Sequence, residues 1–269
     1  MKFNEKKFKE HLTLNGLSKR TINLYCTNIN VFLNNYIKEE ELTQENFNKA
    51  LLELKENIAK STWNTYLTSL RSLINFLNVD IETPKKSKEE KKIPYFITKE
   101  YFETEIIRTA ECIFKRNNLR NKALLRFMFE TGVRREDILY TKRKNFDLKN
   151  KTAKIYVPKN KKERNVYFTE KTKKILENFF SITEENNNAF NINNKRTINY
   201  IFDKLKEWLS NNKLHPHCFR HSYATILRQN GCPLEDLKEL MGLDSYQTVL
   251  RYAHISQSEI KEKYKKYFR

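Results

Sequence analysis

The sequence predicts a mainly α protein with one small β-sheet, divided into an N-terminal helical bundle and a larger second domain. Three observations predict it. Apolar residues recur at helical spacing through most of the 269 residues. One stretch alone, around residues 153–168, concentrates β-forming residues. A lysine-rich segment with no large hydrophobic residue after Ile81 separates two regions of very different charge.

The first domain is expected over residues 1–82. Ser18 suits the cap of a helix whose apolar set is Ile22, Tyr25, Ile29, Phe32, Leu33 and Tyr36. Thr43 suits the cap of a second, with Phe47, Ala50, Leu51 and Leu54. Ser61 is placed at the start of a third, where Trp63, Leu67, Leu70, Ile74 and Leu77 alternate four and three apart. These aromatics read as core. Residues 83–92 read as a solvated linker, and residues 93–269 as the second domain.

In the second domain, Thr98 suits the cap of a helix carrying Tyr101, Phe102 and Ile106. Ala123 to Phe129 is apolar nearly all round, so that helix should be buried on every side. Thr131-Gly132 ends it and Val133-Arg134-Arg135-Glu136-Asp137 follows, which mounts Arg134 on a rigid support. The β signal is a pair of runs, Ala153–Val157 and Asn165–Phe168, around a Pro158–Arg164 loop. Helices are expected around Thr172–Phe180 and Thr197–Leu209, with the Asn-rich stretch Asn186–Asn194 as an exposed loop.

The most informative stretch runs from His215 to Tyr252. His217 and Arg220 stand three apart at the head of a helix and share a face, with Phe219, Tyr223, Ile226 and Leu227 as its apolar body. Pro233 fits the first position of the next helix, Leu234, Leu237, Leu240 and Met241 stripe it, and Gly242 closes it. A short segment from Ser245 leads to Arg251 and Tyr252. This residue set suits a phosphodiester. The Arg offers a bidentate charge to phosphate oxygens, the His a proton donor or acceptor, and the Tyr a nucleophile.

Composition bounds the partners. Lys and Arg number 52 against 33 Asp and Glu, a net charge of +19 that points to a polyanion. Residues 1–82 hold 11 basic and 10 acidic residues, so nearly all of the excess lies beyond residue 82. Hydrophobic residues at 39% and charged residues at 32% give a globular balance. The first 30 residues hold no long apolar run and no stretch of 18 apolar residues exists, so neither a signal peptide nor a membrane span is expected. Four scattered cysteines without C-x-x-C pairing read as reduced thiols of a cytoplasmic protein.

A zinc site has one local feature in its favour, the cluster of His215, His217, Cys218 and His221. No H-E-x-x-H and no paired C-x-x-C supports it, so no metal is expected, and His215, His221 and His254 read as structural.

The His217-x-x-Arg220 pair, Met241-Gly242, and Tyr252 nine residues past position 243 resemble the tyrosine recombinase (phage integrase) family, especially its Xer-like members. Thr131-Gly132-x-Arg134-x-x-Asp137 is similar to the family's Thr-Gly-x-Arg-x-x-Glu motif, which makes Arg134 its first catalytic arginine and Asp137 the supporting acid. The P-K-N-K-K-E-R loop is similar to the family's Gly-Lys-Gly-x-Lys-x-Arg hairpin. Lys159 then falls on the catalytic lysine, with Lys161 and Lys162 as close competitors. Leu17 to Tyr25 resembles the opening of the family's SAM-like core-binding domain. Position 243 is Leu where the family carries His or Trp.

The resemblance implies an α/β tyrosine-recombinase catalytic domain behind a SAM-like helical domain that binds DNA. It implies a site-specific DNA recombinase or integrase that cleaves and rejoins double-stranded DNA through a 3′-phosphotyrosine, with no cofactor. Arg134 and Arg220 would neutralise the phosphate, His217 would act in proton transfer and phosphate binding, and Lys159 would serve the leaving group. The stripe Ile260, Tyr264, Tyr267 and Phe268 has the spacing of a helix that docks on its own domain or on a neighbouring protomer; the resemblance favours the neighbour and implies a tetramer on DNA, built alone or with a second recombinase. A type IB topoisomerase shares the chemistry. The rival reading, fed by Leu243, is a catalytically weak DNA-binding accessory protein or regulator of the same fold.

Overall fold

The computed structural model describes residues 3–38, 41–87, 94–158, 161–186, 188–253 and 264. The chain divides into two compact units, Met1–Lys91 and Lys92–Arg269, each with its own core.

The first unit is a helical bundle: α1 (Glu5–Leu14), α2 (Lys19–Phe32), α3 (Gln44–Asn57) and α4 (Lys60–Leu77). Short polar side chains start three of these by accepting a backbone N–H of the first turn. Asn4 accepts from Lys7, Ser18 from Thr21 and Thr43 from Asn46, at 3.1–3.2 Å. The core interleaves Phe8, Ile29, Phe32, Phe47, Leu54 and Leu67, and a buried Asn28–Ser69 hydrogen bond of 3.1 Å pins α2 to α4.

Three details differ from the sequence expectation. The bundle opens earlier, with α1, which buries only Phe8 and Leu12 and so leaves a faint periodic signal. Helix α4 starts before Ser61, with Ala59 at its cap. Residues Leu33–Ile37 continue α2 as a π-helical turn, so Ile37 is the buried residue there while Leu33 and Tyr36 are only partly covered. The described part of the expected linker lies on α4: Arg71 donates to Thr83 Oγ1 at 2.7 Å, and Asn64 and Ser87 exchange two hydrogen bonds. The rest of that linker lies outside the described residues.

The second unit begins with α5 (Lys99–Tyr101), capped by Thr98, which runs through a π-helical segment Phe102–Ile107 into α6 (Arg108–Ile113). Helix α7 (Asn118–Thr131) is buried from Ala123 to Phe129, as its all-apolar run requires; the one charge there, Arg126, is paired with Glu103. Phe102 stacks on Phe129 at 3.9 Å, and Phe219 meets both edge-on at 5.5 Å. After α8 (Arg135–Ile138) comes an antiparallel sheet, β1 (Phe146–Asp147), β2 (Thr152–Val157) and β3 (Lys162–Tyr167), in that order. The hairpin loop is shorter than the sequence suggests. Pairing continues to Val157↔Lys162, and Arg164, expected in the loop, lies in the strand opposite Ile155.

The remaining helices are α9 (Glu170–Ser181), α10 (Lys195–Trp208), α11 (Pro216–Gln229), α12 (Leu234–Met241) and α13 (Tyr246–Val249). The Asn-rich stretch expected as an exposed loop is instead anchored in the core, with Asn188, Ala189, Phe190 and Ile192 buried. Asn188 makes this possible, because its Oδ1 accepts from the N–H groups of Phe190 and Ile192 at 3.0 and 3.2 Å. A satellite cluster of Ala224, Leu237, Met241, Val249 and Tyr252 joins α11, α12 and α13. Among the described residues, no helix is long and apolar enough to cross a membrane.

Candidate active site

The site forms where the C-terminal ends of α7 and α12 come together. The last carbonyls of a helix lack intrahelical partners and carry the negative end of its dipole. Gly132 and Gly242 close these helices in the left-handed region, each with φ of 59°. Side chains are excluded at both: a Cβ on Gly132 would lie 2.5 Å from the Tyr223 ring, and one on Gly242 would strike Arg164 Cδ.

Three guanidiniums meet those carbonyls. Arg164 donates to Leu240 O, Arg220 to Met241 O at 2.6 Å and Arg134 to Gly242 O at 3.5 Å, so three consecutive carbonyls at the end of α12 and its Gly242 cap each hold one arginine. Arg220 also donates to Gly132 O at 2.5 Å, tying the end of α7 to the end of α12. Arg134 starts α8, its N–H donating to Asp137 Oδ2 at 3.2 Å while its guanidinium stands 4.0 Å from the same oxygen. Gly242→Ala should therefore cost more than the roughly 1–2 kcal/mol of a left-handed alanine. Gly231 has φ of 87° and open space around it, so Gly231→Ala should cost only that backbone strain. Thermal melting of the two variants is the check.

The charge balance is strongly positive. Burial raises the pKa of Asp137, while Arg134, Arg164 and Arg220 act in the opposite direction. The same burial, with the charges of Arg134 and Arg164, lowers that of Arg220 to about 9. Three cations thus face one carboxyl group. Arg134 Nη1 and Arg164 Nε and Nη2 are buried with no hydrogen-bond partner among the described residues. Such donors call for an anion.

Tyr252 lies in a 3₁₀ turn at residues 250–253 with its ring only 2% exposed. Arg228 Nε donates to its carbonyl at 3.4 Å. Its hydroxyl is 2.6 Å from Nδ1 of His221, one helical turn past His217. Burial raises the Tyr252 pKa, and burial beside His217 and Arg251 lowers that of His221 to about 4. His217 sits at the exposed rim, its ring stacked on His221 at 5.8 Å, and loss of solvation together with Arg220 and His215 lowers its pKa. The expected shared face is therefore split, with Arg220 buried inside and His217 on the edge.

Leu243 is half-buried against the Tyr252 cluster and lines a cleft of about 470 Å³ with Lys162, Arg164, Gly242 and Tyr246. Tyr246 donates to Glu235 at 2.9 Å. Lys159 lies outside the described residues. Of its two competitors, Lys162 stands on the cleft wall and Lys161 is exposed at the hairpin turn. The C-terminal stripe, Tyr264 apart, also lies outside the described residues. Tyr264 is exposed.

Two site residues escape the sequence reading. Arg164 closes the P-K-N-K-K-E-R run and His221 directly follows Arg220, so each adjoins a quoted motif. His221, read from the sequence as structural, contacts the Tyr252 hydroxyl. His215 is structural, its Nδ1 accepting the Cys218 N–H at 3.1 Å as the cap of α11. Cys218 is a core thiol that burial pushes up to about 11, and no group of three His, Cys, Asp or Glu among the described residues is placed to hold a metal.

Residues 98–259 match the model of the phage integrase family, and residues 6–73 match that of the phage integrase N-terminal SAM-like domain. A tyrosine recombinase XerC from Pediococcus pentosaceus is 28% identical over 97% of this chain and 96% of its own. A tyrosine recombinase XerA from Saccharolobus solfataricus is 26% identical over 95% of this chain and 89% of its own. Among solved structures, the XerH site-specific recombinase bound to its difH substrate superposes with a TM-score of 0.71 at 20% identity, covering 90% of this chain and 78% of that one. The Tn1549 transposon integrase with transposon right end DNA gives 0.77 at 13% identity, covering 98% and 99%. With a SAM-like helical unit ahead of this catalytic fold, the chain belongs to the phage integrase family.

Proposed function

We propose that this chain is a site-specific DNA recombinase or integrase that cuts and rejoins double-stranded DNA through a 3′-phosphotyrosine on Tyr252. The observation that carries the reading is the convergence of three guanidiniums and one carboxyl group on the ends of α7 and α12, in the same site as Tyr252. Tyr252 Oη attacks the phosphorus and the bond to the 5′ oxygen breaks. The phosphoryl group stays on the tyrosine, and the leaving oxygen departs as a 5′-hydroxyl. The bond energy is kept in the covalent link, so the reverse step rejoins the strand without a cofactor.

Arg134 and Arg220 neutralise the nonbridging oxygens as charge develops, with Asp137 supporting Arg134. His217, at the rim, donates to the phosphate. A lysine of the β2–β3 hairpin protonates the 5′ oxygen; the resemblance to the family's hairpin motif favours Lys159. The bundle of residues 1–82 serves as the core-binding domain and residues 93–269 as the catalytic domain. Self-association into a tetramer on DNA, alone or with a second recombinase, completes the reading. The test is a nicked duplex bearing a site selected from random-sequence DNA by the protein's own binding. An adduct that survives denaturation and forms in EDTA supports the proposal, and site binding without any adduct overturns it.

The charge asymmetry makes a further prediction. Residues 83–269 carry nearly all of the net +19, so they should dominate the affinity for DNA. Each neutralised phosphate releases counterions, and six to ten such contacts lower affinity by about 10³–10⁵ between 50 and 200 mM salt. A loss on the order of a thousandfold is expected in a salt titration by fluorescence anisotropy. A flat titration would contradict it.

A further inference from the structure

We propose that His221, a residue outside the five-residue catalytic set of the proposed function, is the catalytic base that takes the phenolic proton of Tyr252. The inference rests on the reading of Tyr252 as the nucleophile. It begins from a contact: His221 Nδ1 lies 2.6 Å from Tyr252 Oη, the hydroxyl's one hydrogen-bond partner among the described residues. His217, the family histidine, stacks on the His221 ring at 5.8 Å.

Burial lowers the His221 pKa to about 4, so the imidazole is neutral near pH 7, and the base role assigns it the Nε2–H tautomer, in which Nδ1 accepts from the Tyr252 hydroxyl. Burial first, and then His217, Arg251, His215 and Arg220, disfavour the charged form of His221. Both groups are held in place. Tyr252 is packed among Leu237, Met241 and Val249 with its carbonyl on Arg228, and His221 rides on α11 one residue past the buried Arg220.

The proton balance closes. As the Oη–P bond forms, the Oη–H bond breaks and the proton passes to Nδ1. The bond from phosphorus to the 5′ oxygen breaks, and that oxygen takes a proton from the hairpin lysine. In rejoining, Nδ1–H returns its proton to Oη. The scissile phosphate offsets the cations that disfavour an imidazolium, so the base becomes competent when DNA is bound.

The test uses the full chain in single-turnover cleavage of the selected nicked duplex. His221→Asn retains a polar group near Oη but cannot take the proton. It should cleave about 100-fold more slowly, in the range of a lost general base, and it should lack the fall in rate that the wild type shows as the pH is lowered through the His221 pKa, which is about 4 without DNA and is raised by the bound phosphate. Added imidazole should partly restore cleavage by His221→Ala. In ¹⁵N spectra of the histidines without DNA, Tyr252→Phe should move the His221 Nδ1 resonance. Wild-type adduct formation matched within threefold by both His221 variants, with the same pH profile, overturns this proposal and leaves the recombinase reading standing. An unmoved His221 resonance overturns it as well. No adduct from the wild-type chain overturns both.

Discussion

Arg220→Ala is expected to slow strand cleavage by about 10²–10³ and to lower the stability of the second unit. Loss of one preorganised donor at a developing oxyanion costs about 2.7–4 kcal/mol, on the order of 10²–10³ in rate. Arg220 is buried, and its guanidinium joins Gly132 O and Met241 O, so both charge and placement are lost with it. Two carbonyls are then left without their donor, at about 1–3 kcal/mol each where water cannot reach them. Arg220→Lys keeps the charge but cannot span both carbonyls as a planar fork does. It should melt closer to the wild type and still cleave poorly. Single-turnover rates and thermal melts of the two variants separate chemistry from folding. An alanine variant that cleaves within tenfold of the wild type would contradict the assignment.

The second large effect is a gain. Leu243→His should accelerate cleavage by about 10²–10³, because it restores a donor where the family resemblance places one. Leu243 keeps the packing against the Tyr252 cluster and lines the cleft beside Gly242 and Arg164, but it has no polar atom to offer. Its neighbour Tyr246 does not substitute for it, since that hydroxyl is bonded to Glu235. The wild-type chain should therefore be slow and not inert. Cleavage by Leu243→His no faster than by the wild type would remove this account of position 243.

Much of this was legible in residue order because local rules set it. Ser18, Thr43 and Thr98 cap their helices, and the apolar run of α7 is buried throughout. Gly242 closes α12, since only a permissive backbone adopts that turn beside Arg164. What stayed hidden depends on long-range partners. Residue order leaves Arg164 in the hairpin loop and gives no sign that it reaches Leu240 O, 76 residues away. Nor does it distinguish a structural His221 from one on the Tyr252 hydroxyl. The Asn-rich stretch misleads for another reason, because Asn188 satisfies its own turn and carries Phe190 into the core despite polar neighbours. The π-helical turns at Leu33–Ile37 and Phe102–Ile107 shift side-chain register in ways a 3.6-residue period misses.

The central claim is that Tyr252 becomes covalently joined to DNA. Its most direct measurement is mass spectrometry of the digested adduct formed on the selected nicked duplex, with Tyr252→Phe alongside. The expected result is a phosphonucleotide on the peptide that contains Tyr252, and no adduct from Tyr252→Phe although it binds the site equally well. A nucleotide on another residue, an undiminished adduct from Tyr252→Phe, or site binding with no adduct from either the wild-type chain or Leu243→His would contradict it. The last of these outcomes leaves the accessory DNA-binding reading.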